Sequence, residues 1–195
     1  MKNIVFDLGR VVFAHRPEYR SEERKRFFSY VSESPMPQFW VNYDKGVSSL
    51  AKVAEDLAAY RNCEVEYARQ MIEQSIEWQS TIEPTAELIR DLKAAEYRLY
   101  VLSNMSHEFI AYLRKKEVYA YFDGEVVSCE EGVVKPDPAI YRTLIDRYSL
   151  DVKETMFIDD RRENVDTAAL LGITPFHFDR EDCEKSCKEL REILL

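Results

Sequence analysis

Lys2-Asn3-Ile4-Val5-Phe6-Asp7-Leu8-Gly9-Arg10-Val11-Val12 is the stretch that decides the fold. Ile4, Val5 and Phe6 form an unbroken apolar run, too short for a helix and rich in β-branched and aromatic side chains. Such a run reads as a strand buried in a parallel sheet. Asp7 interrupts it, and Gly9 follows. A carboxylate at the end of a buried strand loses hydration unless hydrogen bonds or a metal compensate it. The carboxyl ends of parallel strands are also where open α/β sheets place their ligands. On this stretch alone Asp7 is either a turn residue that closes a strand or a reactive carboxylate.

Two further apolar runs end in the same way. Arg98-Leu99-Tyr100-Val101-Leu102 stops at Ser103-Asn104, and Thr155-Met156-Phe157-Ile158 stops at Asp159-Asp160. Around them, helical patterns over 83–95, 106–116, 137–147 and 164–171 alternate with strand-like runs over 124–128 and 173–178. This alternation predicts an α/β fold with a doubly wound, Rossmann-like parallel sheet. The three polar strand ends then lie on one edge. The loop Val134-Lys135-Pro136-Asp137-Pro138 precedes a helix and adds an ammonium group. Together these residues offer carboxylates for a hard cation, a hydroxyl and N–H groups for anionic oxygens, and one balancing positive charge. Mg²⁺ takes oxygen ligands and keeps places for water and phosphate. A lysine balances phosphoryl charge, and a carboxylate in such a setting can attack phosphorus.

Residues 16–79 have a different texture, with almost no strand-like pattern. Phe27, Phe28 and Val31 follow a helical spacing, and Gln38 to Tyr43 begins a short aromatic helix. Leu50, Val53, Ala54, Leu57 and Ala58 repeat at i, i+3, i+4, with Ser48 or Ser49 as N-cap. Ala68, Met71, Ile72 and Ser75 mark another helix. About four helices are expected, either as an insert (15–80) in a core made of 1–14 and 81–195, or as one more helix layer of a single domain. Residues 181–195 read as a charged amphipathic helix packing on the sheet edge.

The chain has 195 residues and a formal net charge of −9, with no basic stripe, which argues against nucleic acid or an anionic membrane surface as partner. No apolar run reaches the ~20 residues of a membrane span. The scattered cysteines Cys63, Cys129, Cys183 and Cys187 form no CxxC pair and read as reduced structural thiols. A cytoplasmic location and a monomer or weak dimer are expected.

Phe6-Asp7-Leu8-Gly9, Val101-Leu102-Ser103-Asn104, Lys135-Pro136-Asp137-Pro138-Ala139-Ile140-Tyr141 and Phe157-Ile158-Asp159-Asp160 with Asn164, in that order, resemble the four motifs of the haloacid dehalogenase (HAD) superfamily. The resemblance covers nearly the whole chain. Its closest flavour is the sugar-phosphatase-like branch, similar to the α-glucose-1-phosphate phosphatases, with a helical C1-type cap after the first motif. The resemblance implies a Mg²⁺-dependent phosphatase acting on a small phosphate ester, a sugar phosphate, through an aspartyl-phosphate on Asp7. Asp7, the Gly9 carbonyl and Asp160 would bind the metal, with Asp159 beside them, directly or through water. Ser103 and the Asn104 amide would hold phosphate oxygens. Lys135 would neutralise phosphoryl charge and hold Asp7, and Asn164 would order the acidic loop. Trp40, Tyr43, Asp44, Lys45 and Gly46 lie between two cap helices, where a substrate-facing loop is expected; the aromatics would stack on the substrate or else pack in the cap's own core.

One departure from the family pattern matters. Phosphatases of this kind carry a second Asp two residues after the nucleophile, which protonates the leaving oxygen and then activates water. Here that position is Gly9. The service is worth roughly 10²–10⁴-fold. His15, Glu18, Arg10 or an ordered water are candidate substitutes, and a good leaving group such as an anomeric oxygen would suffer least. The departure also keeps two other readings open: a metal-independent 2-haloacid dehalogenase, and a catalytically weakened fold retained for binding or regulation.

Overall fold

A computed structural model describes residues 1–19, 21–33 and 35–195. Its centre is a five-stranded sheet of β1 (Asn3–Phe6), β4 (Arg98–Ser103), β5 (Gly124–Val127), β6 (Thr155–Asp159) and β7 (Thr174–His177), in the order β5-β4-β1-β6-β7. Every adjacent pair is parallel. β1 is central, so Asp7 emerges between the ends of β4 and β6. The order steps outward one way from β1 to β4 and β5 and the other way to β6 and β7, which makes the edge beside β1 the switch point of the sheet.

Strand alternation distributes the core. Ile4, Phe6, Leu99, Val101, Met156 and Ile158 face one side of the sheet. They are covered by α5 (Glu83–Ala94), α6 (His107–Leu113) and α10 (Cys183–Leu194). Val5, Tyr100, Leu102 and Phe157 face the other side, beneath α8 (Pro138–Tyr148) and α9 (Arg162–Leu170). The amphipathic C-terminal helix therefore lies on a sheet face beside α5 rather than on the sheet edge. Cys187, Leu190 and Leu194 are its buried stripe. An i, i+3, i+7 stripe needs a broad apolar surface, which a face provides and an edge strand does not.

Two short strands escape the sequence reading. β2 (Phe13–His15) and β3 (Gln79–Thr81) pair antiparallel, Phe13 with Thr81 and His15 with Gln79. The chain leaves the sheet region through β2 and returns through β3. Between them run α1 (Glu22–Phe27), α2 (Gln38–Asp44), α3 (Leu50–Arg61) and α4 (Val65–Glu77). These helices share a core of Phe27, Tyr30, Trp40, Tyr43, Leu57 and Ile72, joined from α6 by Phe109. Ser49 caps α3, accepting from the Lys52 N–H at 3.2 Å. Arg24 is buried in this core, donating to Ser75 Oγ (2.6 Å) and the Met71 carbonyl (3.1 Å), with its guanidinium 4.3 Å from the Trp78 ring centroid.

Candidate active site

Asp7 sits one residue beyond β1. Its N–H extends the ladder to the Ile158 carbonyl (2.9 Å), which fixes the backbone and turns the carboxyl toward the sheet's C-terminal edge. Oδ1 accepts from Ser103 Oγ (2.7 Å) and Lys135 Nζ (2.8 Å). No hydrogen bond reaches Oδ2 among the described residues.

Lys135 is the electrostatic hub. Its side chain is 1% exposed, and Nζ donates to Asp7 Oδ1 (2.8 Å), the Leu102 carbonyl (2.8 Å) and Asp159 Oδ2 (2.6 Å). An ammonium has three donors, so all are used. Burial works against the charge, but Asp159 and Asp7 more than offset it and hold Lys135 above its ordinary range. Lys135 therefore fixes the two carboxylates relative to one another.

The acidic pair after β6 divides its work. Asp159 is fully buried and receives Lys135 Nζ, the Arg161 N–H (2.8 Å) and Asn164 Nδ2 (3.1 and 2.9 Å). Both of its oxygens are occupied. Burial pushes its carboxyl up, and Lys135 pulls it back down. Among the described residues, the Asp160 carboxyl accepts one hydrogen bond, from Arg180 Nη1 to Oδ2 at 3.0 Å, and none reaches Oδ1. Burial and the nearby Asp7 raise the Asp160 carboxyl.

Asp7, Asp159 and Asp160 each present an oxygen, all within 4.8 Å of one another. Three carboxylates this close repel one another, and one lysine compensates part of that charge. An oxygen-rich donor set with surplus negative charge fits a hard divalent cation. The hydrogen bonds select Asp7 and Asp160 as the members with an oxygen to spare, and Asp159 as their support. The Gly9 carbonyl stands clear of the local ladder, which runs from the Phe13 N–H to the Leu8 carbonyl (2.9 Å) and from the Arg10 N–H to the Phe13 carbonyl (2.7 Å).

The other anticipated residues are placed as follows. The Ser103 hydroxyl is buried and donates to Asp7. The Asn104 side chain pairs with the backbone of Lys135, donating to its carbonyl (3.0 Å) and accepting from its N–H (2.8 Å). What Asn104 can offer a phosphoryl oxygen is thus its backbone N–H, while its side chain clamps the lysine loop. Trp40 and Tyr43 are 7% and 1% exposed and lie in the core of the helical segment. Lys45 follows α2 as its C-cap and is half-buried. His15 lies in β2 with Nε2 2.9 Å from the Ser75 carbonyl, and the Glu18 side chain is exposed near Arg16.

Three guanidiniums stand near the cluster; the sequence reading singled out Arg10 and missed Arg161 and Arg180. Arg10 has a left-handed φ of +61°, and its guanidinium lies 3.3 Å from Ser32 Oγ. Arg161 reaches the carbonyls of Val31 (3.4 Å) and Glu33 (3.2 Å). With Arg180 on Asp160, these guanidiniums ring the acidic cluster. Burial and the neighbouring Arg180 lower the Arg10 pKa. Asp44, the last residue of α2, was expected in a substrate-facing loop but was given no chemical role there. Its carboxyl is electrostatically coupled to Arg161, Asp7 and Lys135, and burial raises it to about 7. The sequence signal was slight: an acid at the foot of a helix, just before Lys45-Gly46.

The family model for haloacid dehalogenase-like hydrolases matches residues 1–172. The chain belongs to the haloacid dehalogenase-like hydrolases. It is 25% identical over 204 residues to the sesquiterpene phosphatase astK of Aspergillus oryzae, covering 99% of this chain and 96% of that one. Other curated relatives are longer. The hydrolase is 36% identical over 113 residues to acyl-CoA dehydrogenase family member 10 of Mus musculus, but this match spans 10% of that protein. A HAD-family enzyme of Bacteroides thetaiotaomicron, solved with magnesium and inorganic phosphate, superposes with a TM-score of 0.71 at 22% identity, covering 92% of this chain and 95% of that one. Among the described residues of this hydrolase, no helix is long and apolar enough to cross a membrane.

Proposed function

We propose that this hydrolase is a Mg²⁺-dependent phosphatase that cleaves a small phosphate ester, a sugar phosphate, through an aspartyl-phosphate on Asp7. The observation that carries the reading is the state of the Asp7 carboxyl. One oxygen is held by Ser103 and Lys135, the other takes no hydrogen bond from the described residues, and Asp160 stands beside it with an oxygen of its own that takes none from them. A nucleophile fixed in this way has little orientation left to lose on reaching the transition state.

Asp7, Asp160 and the Gly9 carbonyl would hold the metal, with Asp159 supporting them from behind. When bound, the cation neutralises charge on the phosphoryl oxygens and on the carboxylates around it. Lys135 contributes a fixed positive field, and the Asn104 N–H a donor at the strand end. Asp7 attacks phosphorus, and the ester oxygen leaves. The helical segment between β2 and β3 acts as a cap over the sheet edge and excludes water. Arg10 and Arg161, reaching from the core to residues 31–33, would donate to the oxygen-rich body of the substrate, which suits a sugar. The phosphatase name of the A. oryzae relative and the magnesium and phosphate of the B. thetaiotaomicron enzyme support phosphoryl chemistry.

The test is a panel of sugar, alkyl and aryl phosphates assayed with and without Mg²⁺, beside Asp7→Asn. Metal-dependent release of phosphate that the variant loses is expected. Chloride release from a 2-haloacid without metal would replace this reading with a dehalogenase.

A further inference from the structure

We infer that Asp44 is the general acid and base of this site, supplied by the helical segment in place of the carboxyl that Gly9 lacks. The inference rests on the phosphatase reading and deepens it by naming the group that moves protons.

Delivery is built into the fold. Asp44 closes α2, and its main-chain carbonyl accepts from Ser128 Oγ at 2.5 Å. The same hydroxyl accepts from the Met105 N–H at 3.0 Å. Two residues on, Gly46 at φ +71° runs so close to the core that a Cβ would lie 2.4 Å from the Cys129 carbonyl oxygen and 2.7 Å from His107 Nε2. Residues 44–46 are therefore seated on the segments that follow β4 and β5. Those strands flank β1 on one side, so the seat brings α2 to the edge where Asp7 emerges.

The carboxyl is also available. Neither a hydrogen bond nor an ion pair engages the Asp44 side chain among the described residues. The charged groups that face it are Arg161, Asp7 and Lys135, and burial favours its protonated form. The alternatives are engaged or unsuited. His15 Nε2 lies at the Ser75 carbonyl, and Glu163 is bound by Arg161 Nε at 2.8 Å. Arg10 stays protonated at neutral pH and cannot deliver a proton. At Gly9 itself an added Cβ would meet no atom nearer than Met105 Cε at 3.5 Å, so the place for a carboxyl after β1 is open but unfilled.

The proton accounting closes. Asp7 forms a bond to phosphorus as the bond from phosphorus to the ester oxygen breaks, and protonated Asp44 gives its proton to that oxygen, releasing the alcohol. Asp44, now a carboxylate, takes a proton from water as the water oxygen attacks the aspartyl-phosphate. The bond from phosphorus to Asp7 breaks, phosphate leaves, and both side chains return to their starting states.

The experiment compares wild type, Asp44→Asn and the double variant Gly9→Asp/Asp44→Asn, with Mg²⁺, on p-nitrophenyl phosphate and on an alkyl phosphate. Asn is isosteric, and the Ser128 contact is to the backbone, so the seat of α2 stays. For Asp44→Asn the first-turnover burst of nitrophenolate should remain, because that leaving group needs no acid. On the nitrophenyl ester steady-state kcat should fall about 10²–10⁴-fold, and KM should fall with it, because breakdown of the phospho-enzyme becomes limiting while kcat/KM is kept. Acid-quenched protein should carry one phosphoryl group on Asp7, and on the alkyl ester the first turnover should slow as well. Gly9→Asp should return about tenfold or more of the lost kcat. An Asp44→Asn enzyme within about threefold of wild type on both esters, or one changed in KM alone, overturns the inference. Wild type that releases no phosphate overturns the phosphatase reading itself, a different result from release that Asp44→Asn retains.

Discussion

Lys135 and Asp159 form a buried ion pair, Nζ to Oδ2 at 2.6 Å, with side chains 1% and 0% exposed. The pair stands directly behind Asp7, the proposed nucleophile, because the same ammonium reaches it. Removing the cation leaves two carboxylates facing each other without water. Breaking a buried pair from one side costs about 3–5 kcal/mol. Lys135→Met should therefore lower the unfolding free energy by that amount, read as a lower urea midpoint, as well as removing activity. Unchanged stability would mean the pair is solvated in solution.

Asp159 and Asp160 are neighbours with separable duties. Asp159→Asn breaks contacts with Lys135, Asn164 and the Arg161 N–H, and its loss should appear mainly as lowered Tm. Among the described residues, the Asp160 side chain takes one hydrogen bond, from Arg180. Asp160→Asn should leave Tm within a few degrees but raise the Mg²⁺ concentration for half-maximal activity about tenfold or more. A Mg²⁺ titration of both variants checks the division, and the opposite pattern would reverse the assignment.

The acidic cluster should also set how stability responds to pH when metal is absent. Burial raises Asp44 from an ordinary 3.8 to about 7, and Asp160 is raised as well. Between those values the folded chain binds more protons than the unfolded chain, so stability falls as pH climbs. The contribution of Asp44 is neutral below pH 3.8 and fully unfavourable above about 7. In EDTA, Tm should fall across this window, and Asp44→Asn should flatten the slope. Added Mg²⁺ should raise Tm more at pH 8 than at pH 5, since a cation competes with protons for the carboxylates. Melting curves across the window decide it.

Which side chains converge was legible from sequence because each lies where an apolar run stops. Asp7, Ser103 and Asp159 are strand-end residues, and an uninterrupted buried strand announces its own end. What each side chain does there was not legible. The separate duties of Asp159 and Asp160 depend on which oxygen each donor reaches, and nothing in a repeated Asp shows that. β3 was missed because Gln79-Ser80-Thr81 is short, polar and half-buried, held by pairing with β2 rather than by its own pattern. The stripe of α10 was visible in Cys187 and Leu190, but a stripe does not say whether it covers a face or an edge. Asp44 was expected in a substrate-facing loop, but a chemical role for it was hidden for a different reason: it comes from where the α2 terminus rests, a contact between segments about eighty residues apart.

That contact gives the last prediction. Ser128 Oγ joins the Asp44 carbonyl to the Met105 N–H, and Gly46 makes the close approach beside it. An Ala at position 46 would have to adopt φ +71° and would press its Cβ into the Cys129 carbonyl, a backbone atom that cannot swing aside. The conformation alone costs roughly 1–2 kcal/mol, and the clash adds to it, so the end of α2 should lift from the core. Because the sheet and its helices bury their cores without this loop, Gly46→Ala should keep the near-native circular dichroism spectrum while kcat falls about tenfold or more. Ser128→Ala, which removes the hydroxyl's hydrogen bonds to Asp44 and Met105 and adds no clash, should do the same to a smaller degree. Equal activity in both variants and wild type would show that the position of α2 does not matter to turnover.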